Sequence, residues 1–233
     1  MREVNNLNKK RRSKDKRKNL RQRQKKTKMV AWFVSNCKAK NNRLNYAKRL
    51  AKHIQVDSTI HLPHIFLNIK YWRSFQVDIY GTCGNLTCLR KDRECFDMLK
   101  KEYKFYLAFE NSNCKEYITE KLFSNGLRHN ILPIVMGASV KDYKAVAPPN
   151  SFLHVDQFKN PAHLAKYLKM LDKDDKMYNK FFDWQSKGEW VNTKFFCRVC
   201  SMLHFHKKEG IRSSNVVKSG WDQWWQGEGV CRK

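Results

Sequence analysis

Apolar runs of strand length alternate with stretches of helical periodicity along most of this chain, and that alternation restricts the fold more than any other feature. Residues 29–35 form one such run, and residues 41–53 then place Leu44, Ala47, Leu50, Ala51 and Ile54 at helical spacing. Residues 77–81 read as a short strand, 91–103 as a helix and 104–110 as a strand rich in aromatics. The pattern goes on to predict a helix over 119–128, a buried strand over 131–136 and a short helix over 140–146. A strand over 152–155 and helices over 161–171 and 173–182 follow. Strands joined by helical crossovers run parallel and need both faces covered. The expected fold class is therefore α/β, a Rossmann-like parallel sheet with helices on both faces.

Charge divides the chain into unequal parts. Residues 1–28 hold fourteen Lys/Arg against two Asp/Glu, a local +12 within a net +27, and almost no apolar side chains. Such a segment cannot bury enough surface to offset chain entropy, and it reads as a disordered basic tail. A nucleic-acid-binding protein acting through this tail is the alternative function. Residues 29–233 read as one domain. An insertion is suspected at 58–77, because Gln55-Val56-Asp57 recurs as Gln76-Val77-Asp78, and a Cys/Trp-rich extension begins at about 190.

The longest apolar run, 131–137, falls far short of the ~20 residues a membrane helix needs. The N-terminus does not read as a signal peptide. Yet eight cysteines and the sequon Asn85-Leu86-Thr87 suit an oxidising, glycosylating compartment. Either the thiols are free in the cytosol, or the N-terminal part that directs secretion is not in this sequence.

The densest group of chemical side chains lies in residues 103–122, a strand, a polar loop and a helix start. In open α/β sheets ligands sit beyond the carboxyl ends of strands, beside helix N-termini that favour anions. The loop 111–119 falls there. Lys121 in a first helical turn is electrostatically misplaced unless an anion compensates it. The plainer alternative makes Thr119 an N-cap beside a solvated Glu120-Lys121 pair.

Other patterns are weaker. Cys197 and Cys200, with His204 and His206 nearby, have the wrong spacing for a zinc finger and fit structural disulfides better. Asp172-Lys173-Asp174 matches the DxD that holds a nucleotide-bound metal in some enzymes, but suits a helix cap. Trp221, Trp224 and Trp225 suit anchoring of the C-terminus more than stacking on a sugar.

Residues 103–122, with Leu132-Pro133-Ile134-Val135-Met136-Gly137 and the stretch 147–156, resemble the donor-binding half of the α1,3-fucosyltransferases, glycosyltransferase family 10. The similarity is greatest to the invertebrate and plant type that fucosylates the N-glycan core, and it covers roughly 29–231 apart from the suspected insertion. The resemblance implies the C-terminal half of a GT-B enzyme that binds GDP-β-L-fucose and transfers L-fucose, with inversion, to the 3-hydroxyl of GlcNAc on glycoprotein N-glycans. It implies a Golgi lumen location, with membrane association through a segment missing here, and no nucleic acid partner. Arg43 and Lys121 match the diphosphate-binding cations. Asn111, Tyr117 and Glu120 match positions contacting the ribose or the sugar. No cofactor or metal site is implied, while stimulation by Mn2+ stays open. The family's general base and most of its acceptor site belong to an N-terminal domain not seen in this sequence, which leaves the activity of this chain open. In relatives a similar C-terminal CxxC bonds outside the donor motif, so Cys197 and Cys200 are expected to lack partners here. A folding-incompetent relative from a broken gene is the third reading.

Overall fold

The structure, a computed structural model, describes residues 25–54, 76–88, 93–188, 191, 193–208 and 227–232. Its strands are β1 (Lys28–Phe33), β2 (Val77–Tyr80), β3 (Tyr103–Phe109), β4 (Asn113–Cys114), β5 (Leu132–Met136), β6 (Leu153–His154) and β7 (Cys231–Arg232). Its α-helices are α1 (Arg43–Ile54), α2 (Arg93–Glu102), α3 (Val140–Val146), α4 (Pro161–Lys173), α5 (Asp175–Lys180) and α6 (Phe195–Lys208).

Five strands form one sheet in the order β2-β1-β3-β5-β6, all parallel, with Val30 opposite both Val77 and Phe105, and Phe105 opposite Leu132. Every residue of β3 and β5 is buried, as central parallel strands require. The period of two sends Trp32, Phe105, Leu107, Phe109, Ile134 and Met136 into one core. There α1 contributes Ala47, Leu50 and Ile54, and α4 contributes Leu164, Leu168 and Leu171. The intervening residues Ala31, Tyr106, Ala108 and Val135 enter the opposite core with Leu99 of α2 and Tyr143 of α3. The parallel sheet with a helix layer on each face matches the fold class expected from the alternation.

The main departure lies at 119–128. Instead of one α-helix there is a wide π turn at Lys121–Gly126 followed by a tight 3-10 turn at Leu127–His129. Thr119 is not the cap, since Glu120 occupies that position with no side-chain bond to the helix. Two constraints explain the distortion. The Thr119 hydroxyl is drawn away to Glu110 at 2.8 Å. A Cβ at Gly126 would stand 2.9 Å from Pro133 Cβ, so the turn presses backbone against β5. Wide turns of this kind cluster at functional sites.

Other boundaries move as well. Lys26, predicted to lie in the tail, is buried and donates to the Asn130 carbonyl, and Lys28 opens β1. Val77, the last residue of the suspected insertion, pairs with Val30 in the sheet. Residues 1–24 and 55–75 and the three C-terminal tryptophans lie outside the described residues. Helix α6 was not anticipated at all.

The DxD has a structural use. Asp172 is buried against the Lys104 ammonium at 2.9 Å, and Asp174 caps α5 by accepting from Met177 N at 2.9 Å. Asp174→Ala is therefore expected to cost about 1 kcal/mol in denaturant unfolding. A metal-binding Asp174 would instead make Mn2+ stabilise the wild type and not the variant.

Three disulfides join Cys37 to Cys83, Cys88 to Cys95 and Cys114 to Cys231. Cys197 and Cys200 are free and exposed on α6. Among the described residues no helix is long and apolar enough to cross a membrane, and no cluster of His, Cys, Asp and Glu could hold a metal ion.

Candidate functional site

Strand β1 is followed by β2 on one side, while β3 pairs on its other side, so the crossovers diverge between β1 and β3. At such a switch point the carboxyl ends of the strands part and leave a crevice. Arg43, the first residue of α1, bridges it. One guanidinium nitrogen donates to the Phe109 carbonyl at the end of β3 (2.7 Å), and the other to the Asn36 carbonyl beyond β1 (2.9 Å). The group lies 5.6 Å from the centre of the Trp32 ring and is 3% exposed, and burial lowers its pKa. Its Nε has no hydrogen-bond partner among the described residues.

Glu110, the residue after β3, is the centre of the site and was assigned no role in the sequence. Its side chain is fully buried. The carboxylate accepts from Thr119 N at 2.9 Å, from the Thr119 hydroxyl at 2.8 Å and from the Lys121 ammonium at 2.8 Å. This is the anion that a lysine in that turn needs. Gly137 makes room for it: a Cβ there would meet Glu110 Cγ at 2.8 Å, and its φ of +152° disfavours any side chain. Asn41 closes the arrangement by donating to the Glu110 carbonyl and to Asn113 Oδ1, at 2.9 and 3.1 Å.

Two clefts open at the same edge of the sheet. One of about 380 Å3 lies at the ends of β1 and β2, lined by Phe33, Tyr80, Phe96, Tyr106, Glu120 and Lys121. Glu120 sits there mostly exposed, 3.5 Å from the Lys121 ammonium. Partial burial pushes its carboxyl up, but the Lys121 charge and nearby hydrogen bonds together outweigh this and hold it below the ordinary range. The other cleft, of about 480 Å3, lies at the ends of β5 and β6 and includes Gly137, His154, Asp156 and Arg232. Thus Lys121 and Glu120 share a cleft, and Arg43 lies one peptide from Glu110. Asn111 is part-buried in the bend after β3. Tyr117 lines a separate cleft with Cys114 and Cys231, apart from Glu120 and Lys121.

His154 is buried in a defined tautomer. Its Nε2 donates to the Ala138 carbonyl at 2.9 Å and its Nδ1 accepts from Asp156 N at 3.1 Å, which leaves no site for a second proton. Burial, the largest influence, lowers its pKa below 6.5, and His129 is lowered by the same cause. A depressed histidine contributes stability that is present above about pH 6.5 and lost on acidification, when the unfolded chain takes up the proton first. Stability is expected to fall from pH 7.5 to 5.5, with a shallower slope in His154→Gln, as measured by denaturant unfolding at each pH.

Comparison with known proteins agrees with this architecture. The family model described as glycosyltransferase family 10 (fucosyltransferase) C-term matches residues 23–61 and 67–219. Glycoprotein 3-alpha-L-fucosyltransferase A of Drosophila melanogaster is 49% identical over 207 residues, 88% of this chain and 36% of that protein. Alpha-(1,3)-fucosyltransferase C of the same organism is 38% identical over 179 residues, 77% of this chain and 36% of that protein. The crystal structure of an alpha1,3-fucosyltransferase with GDP-fucose has the same fold with a TM-score of 0.55 at 21% identity, over 86% of this chain and 54% of that one. The chain therefore spans about a third of the length of these curated relatives. None of these similarities supports the nucleic-acid reading of residues 1–28. On the family match over most of its length, and on the identity with these relatives, the chain belongs to glycosyltransferase family 10, the fucosyltransferases.

Proposed function

We propose that this chain supplies the GDP-fucose-binding part of an α1,3-fucosyltransferase, transferring L-fucose from GDP-β-L-fucose to the 3-hydroxyl of GlcNAc on glycoprotein N-glycans with inversion. The observation that carries the reading is the Lys121 ammonium, held by buried Glu110 at the sheet's switch point beside Arg43. As the bond between the fucosyl carbon and the β-phosphate breaks, negative charge grows on the leaving diphosphate. Cations fixed in advance stabilise that charge without reorganising. Glu110 keeps Lys121 aimed at the strand ends, and Arg43 adds positive potential from beneath. Asn111, Tyr117 and Glu120 are the residues assigned to the ribose or the sugar. The acceptor hydroxyl attacks the face opposite the leaving group, and its proton passes to a carboxylate base that is not among the residues assigned here. The glycoprotein acceptor is supported by the name of the 49% identical Drosophila relative.

An oxidising, lumenal location in the Golgi, with membrane attachment through a segment outside this sequence, belongs to the same reading. The three disulfides and the exposed sequon at Asn85 support it.

Calorimetric titration of the full chain with GDP-fucose and with GDP tests the proposal. Saturable binding of both is expected. A folded protein that binds neither would sink it.

A further inference from the structure

Asn85-Leu86-Thr87 is the only Asn-x-Ser/Thr triplet in the 233 residues, and it falls in the loop that follows β2, with all three residues exposed. An asparagine in a turn usually serves the fold in one of two ways. It tolerates a left-handed backbone, or its side chain bonds a nearby backbone group. Asn42, Asn130 and Asn150 do the first, with φ of +54 to +55°, and Asn160 does the second by accepting from His163 N at 3.0 Å. Asn85 does neither among the described residues. Thr87 is equally idle. Thr82, in the same loop, donates to the Ser35 carbonyl at 2.7 Å, whereas the Thr87 hydroxyl makes no hydrogen bond among the described residues. The fold therefore makes no use of the two side chains that define the triplet.

The backbone around them is fixed. Gly81 N donates to the Leu86 carbonyl at 2.8 Å and Leu86 N to the Ile79 carbonyl at 3.3 Å, so the loop folds back on β2. Cys83 before the triplet is bonded to Cys37, and Cys88 immediately after it to Cys95. Strand β2 is the edge of the five-stranded sheet, which leaves room beside the loop for a bulky group.

We infer that Asn85 is an N-glycan attachment site of this protein. The inference rests on the lumenal location proposed above, and the two disulfides that flank the triplet form in the same kind of compartment. The co-reactant is an oligosaccharide linked through its reducing-end GlcNAc to a lipid diphosphate. The Asn85 amide nitrogen forms a bond to the sugar's C1 and loses one proton, while the C1–oxygen bond to the diphosphate breaks and the lipid diphosphate leaves.

The test directs the full chain into the secretory pathway of cultured eukaryotic cells with an added cleavable signal, followed by peptide mapping with and without a peptide N-glycosidase. One glycan is expected, and its enzymatic removal should leave aspartate at position 85. Asn85→Gln and Thr87→Ala are expected to lose the modification completely, and Thr87→Ser to keep it, since a hydroxyl at that position is what the acceptor requires. A wild type that has formed the Cys37–Cys83 disulfide yet carries no glycan would overturn the inference and leave the lumenal reading standing. A glycan that persists in Asn85→Gln would place the modification elsewhere and overturn it too. A wild type that stays both reduced and unmodified in that lumen would overturn the lumenal reading along with it.

Discussion

Lys121→Met is expected to destabilise the protein by about 3–5 kcal/mol, because it leaves the Glu110 carboxylate buried without its cation. It is also expected to weaken GDP binding about 10- to 100-fold, the range for a lost hydrogen bond between charged groups. The two effects can be separated. In the double variant Lys121→Met/Glu110→Gln the buried charge is gone, and the amide oxygen can still accept from Thr119 N, which now bonds Glu110 at 2.9 Å. Most of the stability should return while GDP binding stays weak, which a double-mutant cycle of unfolding and titration would read directly. If GDP affinity returned together with stability, Lys121 would be a structural residue that merely holds the loop 111–119.

Arg43→Ala should rank beside it. The guanidinium ties the two sides of the switch-point crevice together, through the carbonyls of Phe109 and Asn36. Its loss leaves two acceptors without their donor and removes the cation beside Trp32, at a cost of about 2–5 kcal/mol. Arg43→Lys is not expected to rescue, since a single ammonium does not reproduce the planar fork that reaches both carbonyls. GDP affinity should fall in both variants, because α1 and the end of β3 no longer hold their spacing. Unfolding curves and GDP titrations on the two variants check this. An Arg43→Lys variant with wild-type stability and wild-type affinity would show that charge alone is needed.

The parts of the protein that were legible in the sequence are those in which local pattern and tertiary demand agree. Strands β3 and β5 are apolar along nearly their whole buried length, Lys104 being the exception, and α3 begins at a Ser139 whose side chain and Asp142 cap it reciprocally. The turn after Thr119 was misread because Leu122, Phe123 and Leu127 have helical spacing, while the forces that widen it come from Glu110 and Pro133, distant in sequence or invisible to periodicity. Glu110 itself escaped assignment for a related reason. A carboxylate after an apolar strand reads as the first solvated residue, and only the unexplained positive charge of Lys121 signalled that a buried anion was required. The cysteine pairs were not legible at all, since eight cysteines allow 105 connectivities. Cys114 finds Cys231 across 117 residues. Asp172 and Asp174 illustrate the opposite case, in which a motif suggestive of metal is spent on an ion pair and a helix cap.

The central claim is that the donor's diphosphate sits at the carboxyl ends of β1 and β3. Backbone hydrogen–deuterium exchange of the full chain, with and without saturating GDP, addresses it most directly. Protection is expected in the two segments that form the crevice, residues 34–43 and 110–121. Protection confined to other segments, with those two unchanged while GDP is bound, would contradict the claim.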